Sequence, residues 1–281
     1  MTTDPHASDG RDWVGYGRSG FDPNWPGGAF VAVQFVLNYE EGGERNVLDG
    51  DDSSEARLSE LVGAEPRPGR RNRSMETLFE YGSRAGFWRL WRLFCDARIP
   101  VVFGVSEAPR RNPEAVQAMQ EAGWEVACHG MRWLRNDGVP EETERADIRA
   151  AIKLHEDLIG KRPLGWYTGA QSERTMDLVM EAGGFRYLSD GYADDLPYWI
   201  NGPGGRQLVI PYAFDTNDIL YEEGRSGAPK MMSVGLHCRI TGRPGRAVGL
   251  RAFLDHLASR DRVWIARRID IADHWHKHHV D

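Results

Sequence analysis

Residues Val31 to Glu44 read VAVQFVLNYEEGGE. The largely apolar run Val31 to Leu37 stops abruptly at Asn38-Tyr39-Glu40-Glu41-Gly42-Gly43. A short apolar run bounded by turn residues reads as a strand buried on both faces, as in a parallel sheet. In α/β folds the carboxyl ends of such strands are where chemistry gathers. Two adjacent carboxylates stand at that end here. A lone Glu-Glu pair is otherwise a solvated acidic turn, so the reading depends on what other strand ends bring to this point.

The chain has 281 residues, which suits one large α/β domain with ample core-forming sequence. We assign residues 1–281 to a single domain, with 1–28 as an irregular N-terminal arm packing through Trp13, Tyr16, Phe21 and Trp25. Lys and Arg number 35 against 42 Asp and Glu, a net charge of −7 with no basic block. Nucleic-acid binding through a phosphate-contacting surface is therefore not expected. No apolar run approaches the roughly 20 residues that span a bilayer. The first residues, MTTDPHASDGRDW, lack the charged and apolar regions of a signal peptide. Three widely spaced cysteines, Cys95, Cys128 and Cys238, fit reduced thiols in a cytoplasm.

After the first strand, polar residues Glu44 to Arg73 form a loop, and Ser74 is the expected N-cap of a long helix with apolar positions from Leu78 to Phe94. PVVFGV at Pro100 to Val105 is a second strand, and Asn112-Pro113 starts a helix that runs to Ala122-Gly123. WEVAC (Trp124 to Cys128) is a third strand, followed by a helix from Glu141 to Leu158 stopped at Gly160. Further strands are expected at Leu164 to Tyr167, Phe185 to Leu188, Gln207 to Pro211, Met231 to His237 and Val263 to Ala266. Helices fall at Ser172 to Ala182, about Arg246 to Ser259, and Ile269 to His279. About seven alternations without a break predict parallel strands with right-handed crossovers, in a barrel or a doubly wound sheet, and the count favours a barrel, complete or incomplete. Neither GxGxxG after the first strand nor GxxxxGK[ST] occurs, which removes the main support for nucleotide binding.

Four strand ends carry reactive side chains: Glu40-Glu41, His129, Trp166-Tyr167 and His237. In a parallel barrel these share one face and converge although distant in sequence. A single histidine at a strand end is commonly structural; two histidines with a carboxylate pair define a candidate active site. Carboxylate and imidazole tune each other's proton affinity, which suits general acid–base hydrolysis.

The segments NYEEG (Asn38 to Gly42), HGMRW (His129 to Trp133) and GLH (Gly235 to His237) resemble, in order, three motifs of the polysaccharide deacetylase superfamily. Longer phrases, among them FVLNYEEGGE, EYGSRAG, RPLGWYTG, DGYADDLPYW and RRIDIADHW, are similar to its cofactor-independent bacterial allantoinases and cover nearly the whole chain. That resemblance implies a distorted (β/α) barrel and water-mediated opening of the hydantoin ring of allantoin, a cyclic ureide, to allantoate. It also implies a homo-oligomer, with a tetramer as the expected state. Metal-binding members use an aspartate and two histidines; here Glu41 and Trp133 stand at two of those positions. Tryptophan cannot ligate a divalent cation, so no metal is expected. A zinc-dependent cyclic imidase or a polysaccharide or peptidoglycan N-deacetylase is the alternative. The arginine usual after the fourth strand is replaced by Tyr167.

On this reading Glu40 is the base that deprotonates water, Glu41 and His129 pair to orient the water or a ring group, and His237 protonates the leaving ring nitrogen or steadies the tetrahedral oxyanion. Because two carboxylates adjoin, one should bind its proton more tightly than usual. Asn38, Trp133, Trp166, Tyr167 and Asp195 are assigned to the substrate pocket, Asp195 through the loop it holds. The resemblance implies an insertion after the DTND of Asp215 to Asp218, a candidate lid; here Asp218 runs directly into Ile219-Leu220-Tyr221, so that segment is either truncated or missing from this sequence. The terminal HWHKHH (His274 to His279) is assigned a structural or surface role, favoured by the helix dipole, rather than a metal role. Cys128, one strand position before His129, should point into packing, away from it.

Overall fold

The computed structural model describes residues 11–280 except 19, 58, 106–107, 215 and 219–230. The candidate lid after Asp218 lies outside the described residues. Strands β1 (Val31–Tyr39), β2 (Val101–Val105), β3 (Glu125–Cys128), β4 (Gly165–Trp166), β5 (Tyr187–Leu188), β6 (Tyr198–Gly202), β7 (Gly205–Val209), β8 (Met231–His237) and β9 (Val263–Ile265) form one sheet. Their order is β6-β7-β5-β4-β3-β2-β1-β8, with β9 beside the start of β1. Every pair is parallel except the β6–β7 hairpin. Strand β1 is buried along nearly its whole length, as an apolar run covered on both faces requires.

The strands form the parallel sheet that was expected, but no ladder closes it into a barrel by joining β8 to β6 among the described residues. The chain leaving β7 crosses over, and Asn217 bridges to Gly235 of β8. Asp218 N donates to Gly235 O at 3.0 Å, and Gly235 N to Thr216 O at 3.1 Å. Strand β6 was not expected. It is a half-buried edge strand whose apolar stretch, Tyr198 to Ile200, is only three residues long between Pro197 and Asn201-Gly202, too short to show a period.

The helices are α1 (Arg73–Tyr81), α2 (Phe87–Ala97), α3 (Ala108–Arg111), α4 (Pro113–Glu121), α5 (Glu141–Ile159), α6 (Thr175–Ala182), α7 (Pro244–Ala258) and α8 (Arg268–His278). Asn112 caps α4 by accepting from Ala115 N, with Pro113 at the first position. The N-cap of α1 is Asn72, which accepts from Met75 N, not Ser74. The long helix expected there is interrupted by a π-helical turn at Gly82–Gly86, where two glycines meet the strand ends. Helices α2, α4 and α7 bury Phe87, Leu90, Phe94, Met119 and Leu254 against Phe35 and Leu37 of β1.

The N-terminal arm docks on α8 through Phe21 and Trp25, whose rings lie 5.5 and 5.7 Å from that of Trp275. Nε2 of His274 and of His279 meet the Pro23 carbonyl at 2.7 and 2.9 Å. The terminal histidines clasp the arm. Trp13, by contrast, is largely exposed. Among the described residues no helix is long and apolar enough to cross a membrane.

Candidate active site

Register fixes which side chains meet. Asn38 of β1 lies level with Gly104 of β2 and His237 of β8, and Cys128 of β3 with Val105 and Trp166. The residues that follow, Glu40, His129, Tyr167 and Arg239, leave the sheet at one edge.

Glu40 is the hub. Its Oε1 lies 3.2 Å from His129 Nε2 and 3.4 Å from His237 Nε2, and its Oε2 accepts from Arg239 Nη1 at 2.9 Å. His129 is oriented by its Nδ1, 3.0 Å from the Tyr167 carbonyl. His237 is oriented by Asp218, whose Oδ1 is 2.6 Å from Nδ1 and whose Oδ2 accepts from His237 N at 2.8 Å. Asn38 Nδ2 donates to Tyr212 OH at 2.8 Å and lies 3.3 Å from His237 Nε2. Tyr167 and Tyr212 stack with centroids 4.6 Å apart. Glu40, Glu41, His129, His237 and Arg239 are all buried.

Burial would raise the proton affinity of Glu40, but the charges of His237 and Arg239 outweigh it and hold its pKa well below the usual value. Burial dominates at Glu41, which is pushed up to about 7. The expectation that one acid of the pair holds its proton tightly is met, and that acid is Glu41. Burial disfavours the His237 imidazolium, yet Glu40 and Asp218 more than compensate and raise it to about 9.

Of the residues assigned from sequence, Asn38, Glu40, Glu41, His129, Tyr167 and His237 come together here. Trp133 joins them as a wall, its ring under the Arg239 guanidinium, whose carbon lies 5.3 Å from the ring centroid. Two assignments need correction. Trp166 sits in the core with Cys128, Leu178 and Phe185, and donates its Nε1–H to Thr168 Oγ1, because alternation turns it away from Tyr167. Asp195 is exposed and lines a cavity of about 590 Å³ with Tyr192, Phe214 and Tyr212, the last of which also meets Asn38 and Tyr167 of the Glu40 cluster. The proposed Glu41–His129 pair is not formed. His129 pairs with Glu40, while Glu41 turns to Gly82.

Arg239, Asp218 and Tyr212 escaped the sequence reading. Arg239 stands two residues beyond His237 in a turn, where Ile240 N and Thr241 N both return to the His237 carbonyl, so strand alternation does not locate it. Asp218 was seen only as a phrase, and Tyr212 follows Pro211 with no pattern.

A zinc ion, which the superfamily resemblance raises, does not fit these residues. Among the described residues no three His, Cys, Asp or Glu side chains are grouped to hold a metal. Trp133 supplies no lone pair, and the Arg239 cation already lies against Glu40 and 3.9 Å from Glu41 Oε1.

A buried carboxylate joining two imidazoles at the carboxyl edge of a parallel sheet is suited to general acid–base chemistry. The sequence model of the polysaccharide deacetylase family matches residues 68–188. A putative polysaccharide deacetylase from Schizosaccharomyces pombe is 40% identical over 315 positions, covering 96% of this chain and 98% of that protein. The crystal structure of PuuE allantoinase superposes with a TM-score of 0.91 at 47% identity, covering 96% of this chain and 98% of that one. That of a probable polysaccharide deacetylase from Pseudomonas aeruginosa PAO1 gives 0.90 at 49% identity, with the same coverage. The chain belongs to the polysaccharide deacetylase family and is a hydrolase of that fold.

Proposed function

We propose that this protein hydrolyses the amide C–N bond of a cyclic ureide, opening allantoin to allantoate in cytoplasmic purine breakdown without a metal. The observation that supports it most is the Glu40 carboxylate bridging His129 and His237 beside Arg239, where a metal-binding relative would need a third ligand at Trp133. The likeness to the PuuE allantoinase structure points the same way.

In this reading water gives a proton to Glu40 while its oxygen adds to the ring carbonyl. The C–N bond then breaks, and the His237 imidazolium gives its proton to the departing ring nitrogen. The proton on Glu40 passes to His237 across their 3.4 Å contact, so the net change is one water added. A histidine whose pKa is about 9 is charged at neutral pH and suited to the acid role. His129 aligns Glu40, and Tyr167, Tyr212 and Trp133 offer flat walls to a flat ring. The protein works as a homo-oligomer, a tetramer by family likeness, which light scattering checks.

The test is incubation with allantoin, with and without a chelator, following allantoate. Formation at an unchanged rate supports the proposal. Acetate released from N-acetylated glucan oligomers, with no allantoate formed, would favour the polysaccharide deacetylase reading that the family match also offers. Chelator-sensitive opening of a cyclic imide would favour a zinc-dependent imidase.

A further inference from the structure

Arg239 is the guanidinium held inside the Glu40 cluster beside His237, and its surroundings constrain what it can do. Its residue exposure is 2%, among the lowest for any charged side chain described. One face of the guanidinium lies on Phe79, 4.4 Å from centroid to Cζ, and Trp133 lies 5.3 Å away. Nη1 is committed to Glu40 Oε2 at 2.9 Å. The two remaining donor positions, Nε and Nη2, are buried and have no hydrogen-bond partner among the described residues. Burying a charged donor without a partner is costly, and such groups in native proteins call for an explanation.

Nε–H and Nη2–H form one side-on edge of a planar guanidinium, two parallel donors at fixed spacing. That edge matches two oxygens on one carbon, the arrangement in a carboxylate. An amide presents only one carbonyl oxygen. After water adds, the same carbon bears two oxygens, one carrying negative charge, and the acid product keeps the pair. A donor pair that fits O–C–O, and fits O=C–N less well, discriminates in favour of the state that must be stabilised.

We infer that Arg239 is a catalytic residue whose free Nε–H/Nη2–H edge grips the two oxygens of the tetrahedral adduct, a fixed organic cation serving where related sites would place a metal. This rests on the hydrolytic reading of the site and deepens it. Aromatic walls hold the guanidinium plane, and the contact with Glu40 sets its rotation, so the edge is aimed before substrate arrives. The charge developing on the adduct then meets donors that need no reorganisation.

A simpler role, in which Arg239 only neutralises Glu40, makes a different prediction, because lysine supplies a point charge but no fork. The experiment compares wild type, Arg239→Lys and Arg239→Ala, each confirmed folded by circular dichroism and thermal melting. With allantoin, Arg239→Lys is expected to lose about 10²–10³-fold in kcat with KM changed by less than a few-fold, the cost of removing an oxyanion donor. Lysine restoring near-wild-type kcat would overturn the inference. Formate, a bare O–C–O anion, is titrated in parallel while the Arg239 Nε–H resonance, identified by its loss in Arg239→Lys, is followed by nuclear magnetic resonance. A saturable shift of that resonance supports the fork, and its absence in wild type overturns it. If formate shifts the resonance but no cyclic ureide is hydrolysed, the proposed reaction fails and the anion-gripping edge stands. If allantoin is hydrolysed and lysine replaces Arg239 freely, the reaction stands and the inference fails.

Discussion

Gly82 lies so close to Glu41 that a methyl group on it would overlap the carboxylate. The π-helical turn at Gly82–Gly86 sets this contact, and Gly86 approaches the Cys238 carbonyl just as closely. Replacing Gly82 by alanine is expected to displace Glu41 and cost about 1–3 kcal/mol, the usual range for overpacking. Shortening the acid in Gly82→Ala/Glu41→Asp should restore much of that stability in chemical denaturation. A Gly82→Ala protein as stable as wild type would show that the contact yields without strain.

Glu40 carries both a chemical and an electrostatic task, and two substitutions separate them. Glu40→Gln keeps the shape and should lower kcat by roughly 10²-fold or more, the scale of a lost general base. Glu40→Ala should also destabilise the fold by about 3–5 kcal/mol, since it strips the buried Arg239 of its hydrogen-bonded partner. Steady-state kinetics and denaturation measure the two effects. Glu40→Gln turning over at the wild-type rate would move the base role elsewhere.

The pH–rate profile follows from opposite shifts in one cluster. His237 must be protonated to act as an acid, and its pKa is about 9, so kcat/KM should fall as pH rises through that value. Asp218 is among the causes that raise it, so Asp218→Asn should move the alkaline limb to lower pH. Glu40 must be ionised, and its pKa lies well below the usual range, so the acid limb should fall below that of an ordinary glutamate. An acid limb near 7 would instead assign the base to Glu41, whose pKa is about 7.

Stability should also depend on pH through a carboxyl far from the chemistry. Glu125, at the start of β3, accepts from Tyr187 OH at 2.8 Å and Ile269 N at 2.9 Å, and burial pushes it up to about 7 from 4.5. It binds its proton more tightly folded than unfolded, so unfolding releases a proton. Its contribution is therefore intact below 4.5 and is lost as pH rises toward 7, about 3 kcal/mol in all. Glu125→Gln can keep both hydrogen bonds and should flatten the stability curve over that window without changing kcat. Denaturation at pH 5 and pH 7 tests this, and equal slopes in the two proteins would refute it.

Much of the architecture was legible because local signals agreed with the tertiary answer. The run Val31 to Leu37 could only be a strand covered on both faces, and Asn112-Pro113 could only start a helix. The strand ends named Glu40, Glu41, His129 and His237, since position at the carboxyl edge follows from alternation alone. The same logic missed β6, whose apolar stretch Tyr198 to Ile200 is too short to show a period, and it admitted Trp166, although period-two alternation turns Trp166 and Tyr167 to opposite faces.

The sequence by itself determined the alternating strands and helices, the edge where they end in acids and histidines, and the family. What it left open is pairwise and electrostatic. Residues 40 and 41 are adjacent and chemically identical, and only the fold places one beside Arg239 and two imidazoles and the other against Gly82. The physical reason is that proton affinity depends on distance to partners 89 and 199 residues away along the chain, and on burial no local pattern encodes. Tertiary structure thus decided that Glu40 is the anion, Glu41 the acid that keeps its proton, and Arg239 the cation between them.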